Sequence, residues 1–438
     1  MSSSQESIEA AVVPKRALIL TYHFLPENLP STLHPRYFKR YLPEFGYTSD
    51  LICCSYSPFG GYDSDQPDAD PDVYRTPLGP QQRARMKSLH RWETFFGWHL
   101  KFSDWGRSWI SHAAKAGIRM MEERKYDVMI SCSPCFSAHR AALRIKQANP
   151  GLQWFAYLAD PFVGNPFHRV NPLQHRLNER LEQKVFDAAD FVVANTDAVE
   201  SAWRERYPQL ASKFFNLPNG FDFSEKAEAS PLPANRTIPV LMHAGGLYGG
   251  RFPKVLLESI DRLSKAGVLT ESDLQLRLLG SIDPVAVNCP ELLASMQQRK
   301  FVFLDGTVSR AEALRRTGEA DYLLLVDLNE KNTKFQVPSK LFDYLRIGRP
   351  ILCYTPRGSE TQSILKRAGV PATIIEVEAT AEEADRALLQ FLQLPSNPTP
   401  MSDWARHKFD AREITKVLAS HFRSAQAIPA DRELTRVS

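Results

Sequence analysis

Short apolar runs recur along this chain, each bounded by Pro, Gly, Asn or Asp, and the segments between them carry apolar residues at three- and four-residue spacing. The first run, RALILTY (Arg16–Tyr22), predicts a buried strand. A loop holding Pro26, Pro30 and Pro35 leads to a helix over Tyr37–Phe45, which Gly46 stops, and TSDLICCS then predicts a second strand. Strand, helix, strand at this spacing implies a parallel sheet covered by helices. Residues 56–80, rich in Pro, Gly and Asp, predict a surface loop, and 81–124 predict helices. The alternation continues with YDVMISCS as strand, AHRAALRIKQ as helix, WFAYLAD as strand and a long helix over 172–188. ADFVVANT and FFNLPNG complete the first α/β unit.

The stretch SEKAEASPLPANR (224–236) is polar, holds two prolines and marks a boundary. The alternation then restarts: IPVLMHAGG as strand and glycine loop, FPKVLLESIDRL as helix, LQLRLLG and KFVFLDG as strands, RAEALRRTGEA as helix, DYLLLVDL as strand. VPSKLFDYLRIGRP (Val337–Pro350) predicts a short helix before the strand PILCY; TQSILKRAG, ATIIEV and one final helix, ARHKFDAREITKVLASHF, follow. The expected layout is a disordered tail over 1–15, a first domain over 16–222, a second over 237–395, and over 396–438 a C-terminal helix and tail. Two open α/β units of this kind form a cleft, and ligands sit at the carboxyl ends of their strands.

Length and charge narrow the options. At 438 residues the chain exceeds one ordinary core. With 54 Lys and Arg against 50 Asp and Glu, net charge is only +4, and the basic residues are spread, so no nucleic-acid partner is expected. Six scattered cysteines fit reduced thiols, the N-terminal stretch lacks a signal-peptide apolar region, and no run is long enough to span a bilayer. The expected location is the cytoplasm, with peripheral contact at the inner membrane as an option.

The candidate chemistry concentrates in VPSKLFDYLRIGRP. Pro338 suits the first helical position, and the following amides, from Ser339 through Leu341, sit at a helix end with partial positive charge, which favours an anion. Lys340 adds a full charge in the same turn, and Asp343, four residues after Ser339, shares that face. An acid beside a phosphate site accepts hydrogen bonds from sugar hydroxyls. HAGGLYGGR (His243–Arg251) is a second glycine-rich turn, in which Gly245 and Gly246 allow close backbone approach to a phosphate and Arg251 is placed to pair with it. An ordinary capped helix and a plain turn are the alternatives for these segments.

A glycine turn opening a second α/β unit, with PSKLFDYLRIGRPIL near its end, resembles the retaining GT-B glycosyltransferases, particularly family 4. LILTYHFLPEN, FKRYLPEFGY, YDVMISCSPCFSAHRAALRIKQ, YLADPF, AADFVVANT and LPNGFD resemble the matching segments of the first half, so the likeness runs over roughly 16–424. It implies a GT-B fold: two Rossmann-like doubly wound domains, a cleft between them, and a C-terminal helix crossing back to the first. It implies a hexosyltransferase-type enzyme that moves a sugar from a nucleotide-diphosphosugar, bound mainly by the second domain, to a polysaccharide or lipid-linked glycan at the first. Retention, and no metal or cofactor, are implied too; the nucleotide sugar is a substrate. Arg251 and Lys340 correspond to the basic pair that grips the diphosphate, Asp343 to the acid on ribose, and Asp160, in an ADPF context, takes the place of a histidine and orients acceptor or sugar. Two departures stand out: Phe335 occupies the position of a first glutamate, and Glu27-Asn28-Leu29-Pro30-Ser31 replaces the glycine pair of the first loop. Gly306–Ser309 is expected near the base. A non-catalytic GT-B scaffold, or an epimerase or hydrolase of nucleotide sugars on this fold, are the competing functions.

Other features are read as structural. YDSDQPDADPDV (Tyr62–Val73) carries Asp-x-Asp triplets in a Pro-rich loop, Cys132-Ser-Pro-Cys135 lacks a second pair, and His139 and His243 lie near strand ends. The segment holding Trp92, Phe95, Phe96, Trp98, Trp105 and Trp109 among Arg83, Arg85, Lys87 and Arg91 is either a membrane-surface element or an ordinary helix pair.

Overall fold

A computed structural model describes residues 14–27, 29–55, 70–76, 105–165, 171–225, 229–232, 236–327 and 336–426. The first half builds a seven-stranded sheet from β1 (Lys15–Thr21), β2 (Tyr47–Cys54), β3 (Val73–Thr76), β4 (Val128–Cys132), β5 (Gln153–Leu158), β6 (Phe191–Ala194) and β7 (Phe214–Asn216), in the order β3-β2-β1-β4-β5-β6-β7. The second builds a six-stranded sheet from β8 (Val240–Ala244), β9 (Gln275–Leu279), β10 (Val302–Gly306), β11 (Tyr322–Val326), β12 (Ile351–Thr355) and β13 (Ala372–Glu376), in the order β10-β9-β8-β11-β12-β13. Every named pair is parallel, with Ala17 opposite Val128 in one sheet and Leu323 opposite Ile351 in the other. The order reverses between β1 and β4 and again between β8 and β11, the kind of point at which open α/β sheets hold ligands.

The apolar runs are continuous because both faces of each sheet are covered. In β1, Leu18 and Leu20 enter one core while Ala17 and Ile19 enter the other. In β11, Leu324 and Val326 face one way and Leu323 and Leu325 the other. Ile414, Leu418, Ala419 and Phe422 from the end of the chain complete a face of the first sheet, in one core with Ala17, Ile19, Ile130 and Phe155.

Several elements depart from the sequence expectation. The helix expected at Tyr37–Phe45 runs over Leu33–Tyr41 and tightens into a 3-10 turn over Leu42–Phe45, which Gly46 ends at φ 87°. The edge strand β3 lies within the stretch expected to be loop. Helices at Asp197–Arg206, Pro290–Gln298 and Ala381–Phe391 have no counterpart in the sequence expectation. The single terminal helix is two, Asp403–Phe409 and Ala411–Gln426. Between them Asp410 turns extended, and Phe221 inserts: its N–H donates to the Phe409 carbonyl at 2.8 Å and its carbonyl accepts from Ala411 N–H at 2.9 Å. The chain thus passes from the second unit to the first beside the segment that joined them on the way out.

Candidate functional site

At the carboxyl end of β8 the chain turns through Gly245 at φ 128°, and a Cβ there would lie 2.6 Å from the Lys340 Nζ. The conformation favours glycine, and a Cβ here would have to displace the end of the Lys340 side chain. Lys340 opens the helix Lys340–Ile347, and its Nζ lies 3.2 Å from His243 Nε2. His243 Nδ1 sits 2.9 Å from the Leu324 carbonyl. A carbonyl only accepts, so Nδ1 carries the hydrogen and Nε2 offers a lone pair to the ammonium. Burial, then the charge of Lys340, holds the His243 pKa well below its ordinary value, so the ring is neutral. The same physics pushes Lys340 down to about 7: burial first, then the positive charge of Arg251, against the carboxylate of Asp327. Asp327 is fixed by the hydroxyls of Thr355 at 3.0 Å and Thr361 at 2.8 Å.

Arg251 follows Gly249 and Gly250, both at positive φ. Its guanidinium donates to the Tyr248 hydroxyl at 2.8 Å and lies 5.0 Å from that ring, while its Nε is buried without a hydrogen-bond partner. A buried charged donor left unpaired calls for an acceptor. Across the cleft, Asp160 emerges after β5, and its Oδ1 accepts from Gln336 Nε2 at 3.0 Å, a contact that ties the two halves together. Burial raises the Asp160 pKa to about 6, with the charge of Arg251 and the Gln336 bond pulling the other way. The structure therefore gathers Asp160, Arg251 and Lys340 from two loops and a helix start, and adds Gln336 and His243.

Other nominated residues do different work. The Gly245 N–H donates to the Leu279 carbonyl at 2.7 Å, so this glycine supplies room for Lys340 rather than a free donor. Pro338 lies one residue ahead of the Ser339 cap rather than at the first helical position. Its carbonyl accepts from the Leu341 N–H at 3.0 Å, and the Phe342 N–H turns back to Ser339 at 3.2 Å, so the Leu341 amide is spent within the turn. Ser339 makes no side-chain capping bond. Gly246 approaches Ser281, whose Oγ would lie 3.3 Å from a Cβ placed there. Asp343 is not an open carboxylate: both its oxygens face Arg310 at 3.3 Å, and Arg310 also reaches Glu225 at 3.2 Å. Burial raises the Asp343 pKa, and Arg310 opposes that rise.

His243, read from sequence as a structural strand-end histidine, and Gln336, which the sequence does not mark, both contact candidate site residues. HAGG shows a histidine at a strand end, but only the fold brings Lys340 to it; Gln336 stands beside the nominated motif, where no local signal marks it. Cys132 and Cys135 are buried and in no disulfide, and His139 pairs with Ser131 Oγ at 2.7 Å. Trp109 is a fully buried core residue, against the membrane-surface reading for that position. Residues 81–104, most of the Asp-x-Asp loop, Asn28 and Phe335 lie outside the described residues. Among the described residues, no grouping of His, Cys, Asp and Glu is arranged to hold a metal ion, and no helix is long and apolar enough to cross a membrane.

No protein-family model matches the chain, and no curated protein matches it. Solved structures do. Sucrose-phosphate synthase from Thermosynechococcus elongatus superposes over 94% of this chain and 99% of its own with a TM-score of 0.61 at 14% identity. The lipopolysaccharide outer core galactosyltransferase WaaB, in its apo form, covers 94% and 99% at TM-score 0.59 and 13% identity. A trehalose-6-phosphate protein from E. coli, bound with UDP-2-fluoro glucose, covers 94% and 98% at TM-score 0.60 and 11% identity. The two doubly wound units and the returning terminal helix make this a GT-B fold.

Proposed function

We propose that the protein is a glycosyltransferase that moves a sugar from a nucleotide-diphosphosugar to a glycan or lipid-linked acceptor. The observation that carries the reading is the convergence of Lys340 and the under-satisfied Arg251 at the carboxyl end of β8, beside the mouth of the Lys340–Ile347 helix and facing Asp160 across the cleft. Two cations at a helix N-terminus suit a diphosphate, whose negative charge grows as it departs. The GT-B neighbours add support, since one of them was solved with a uridine diphosphosugar analogue.

The chemistry follows from these groups. The diphosphate takes the guanidinium of Arg251 and the Lys340 ammonium, with His243 holding Lys340 in place. The acceptor oxygen attacks the anomeric carbon on the face the leaving group vacates; the anomeric C–O bond to phosphate breaks, and the departing phosphate oxygen takes the acceptor proton. That sequence retains configuration and asks for no protein nucleophile. Asp160 orients the hydroxyls nearest the reacting carbon. Asp343 accepts ribose hydroxyls while keeping Arg310, since a carboxylate has about four lone-pair sites. Arg251 and Lys340 supply the neutralising charge, so turnover is expected to survive chelation of divalent ions.

The test is a titration of UDP, GDP and ADP into the protein and into Arg251→Ala, followed by sugar-nucleotide turnover with and without chelator. One nucleoside diphosphate should bind the parent and lose about tenfold or more in the variant. Absence of binding by all three, or equal binding by the variant, rejects the reading; loss of turnover under chelator rejects its metal-free form.

A further inference from the structure

The loop that carries Asp160 is held by its own unit on both sides of the aspartate. Ahead of it, the Ala159 N–H donates to Ser133 Oγ at 3.1 Å and the Ala159 carbonyl accepts from Asn195 Nδ2. Beyond it, Phe162 stacks on Phe136 with ring centroids 3.8 Å apart, and the Val163 N–H donates to the buried Glu182 carboxylate at 2.9 Å. None of these contacts touches the Asp160 side chain. Among the described residues its carboxylate makes one hydrogen bond, and that bond comes from the other unit: Gln336 Nε2 donates to Oδ1 at 3.0 Å. Gln336 is buried, whereas Asp160 remains partly exposed. The first unit therefore fixes the backbone of Asp160, and the second fixes the direction of its carboxylate.

Gln336 lies in the segment that leads into the Lys340–Ile347 helix. One stretch of chain thus brings a cation to one wall of the cleft and an amide to the acid on the other. The groups that face this acid are Arg251 from the glycine-rich turn, Gln336 and, from β5, Tyr157. Burial pushes the Asp160 pKa up; Arg251 and Gln336, which pull it down, both belong to the second unit. An amide N–H donates only, so its bond is strongest to an ionised carboxylate.

We propose that Gln336 is a positioning residue: it reaches across the cleft to aim the Asp160 carboxylate and keep it an acceptor for the hydroxyls at the reacting carbon. The role rests on the glycosyltransferase reading above. Asp160 takes its working direction only when the second unit delivers the amide, so closure of the cleft and setting of the acid are one event.

The experiment follows the Asp160 carboxyl by 13C NMR in the full chain labelled at aspartate, its signal assigned by loss in Asp160→Asn, beside the pH profile of kcat/KM. Gln336→Met removes the donor at nearly unchanged size, and Gln336→Glu sets a second acid against the first. In Gln336→Met the Asp160 titration, and the acid limb of kcat/KM with it, should move to higher pH by about half a pH unit or more. In Gln336→Glu both should move further. In Gln336→Met kcat should fall about tenfold, while nucleoside diphosphate affinity, which belongs to Arg251 and Lys340, stays within about threefold. An Asp160 titration that is the same in the parent and both variants overturns the proposal. So does an acid limb that stays put while the titration moves, or an affinity loss as large as the fall in kcat. The NMR measurement needs no turnover, so it decides the Gln336 contact even where the nucleotide titration above rejects the enzyme.

Discussion

Lys340 shows how one side chain changes character once folded. In sequence it is a cation at a helix start. In the structure burial and Arg251 bring its pKa to about 7, and burial lifts Asp160 to about 6. Diphosphate binding needs Lys340 protonated, so affinity is present below about 7 and falls as pH rises through it, by up to about tenfold per pH unit. If ionised Asp160 orients the substrate, kcat/KM falls again below about 6. The expected profile of kcat/KM is a narrow bell between those two limbs. Lys340→Met should abolish the alkaline limb and Asp160→Asn the acid one; a profile whose limbs persist in both variants refutes the assignment. Gly245 gives a companion prediction. Alanine there meets a backbone conformation at φ 128° and a Cβ 2.6 Å from Lys340 Nζ. Gly245→Ala should cost roughly 1–3 kcal/mol in denaturant unfolding and also weaken nucleotide binding, because relief requires moving Lys340. Unaltered binding would show that Lys340 has no such fixed post. Asp160, Arg251 and Lys340 could be nominated from sequence because each sits in a recognisable segment. His243 was visible only as a strand-end histidine, since its role depends on a lysine nearly a hundred positions away, and a separation of 33 residues hid the Arg310 partner of Asp343.

Elements were legible where burial on both faces wrote an unbroken apolar run, as in YLLLV of β11 and ILCYT of β12. One edge strand was illegible, although the strands at the other sheet ends were not. VYRT of β3 has one neighbour only and sits among Pro and Asp, so its half-exposed pattern reads as loop. The terminal helix reads as one because its amphipathic spacing continues through Asp410, and nothing local reports that Phe221, far back in sequence, hydrogen-bonds across the break. The second piece is structural for the first unit. Phe422 is fully buried, packing edge-on to Tyr47 at 5.1 Å and to Phe155 at 4.8 Å between ring centroids. Phe422→Ala should destabilise the protein by about 3–5 kcal/mol, through lost apolar burial and the cavity left beneath the sheet. Thermal or denaturant unfolding checks this; a change under about 1 kcal/mol would mean the helix detaches without consequence.

At the scale of the whole molecule, the two units are joined by charge as well as by chain. Arg36, on the first helix, donates to Glu225 at 2.7 Å; Glu225 accepts from Arg310 at 3.2 Å; and Arg310 reaches Asp343. Arg346 adds to the junction by donating to the Asp222 carbonyl at 2.8 Å. The side chains are 17–30% exposed along this path, so water screens each pair and none is worth the full energy of a buried ion pair. Arg310 is nevertheless the cation that two mutually repelling carboxylates share: behind the effect of burial, Arg310 lowers the Asp343 pKa and Glu225 raises it. Removing Arg310 therefore does more than delete an attraction. Arg310→Ala leaves Glu225 and Asp343 facing each other half-buried and should cost roughly 1–3 kcal/mol. Neutralising one acid should return part of that loss, so Arg310→Ala combined with Glu225→Gln should be less damaging than the sum of the two single changes. A double-mutant cycle in denaturant unfolding should give a coupling of about 0.5–3 kcal/mol. Strict additivity would mean that the junction is held by the Phe221 and Arg346 contacts alone, and that the charged path follows the relative position of the units without setting it.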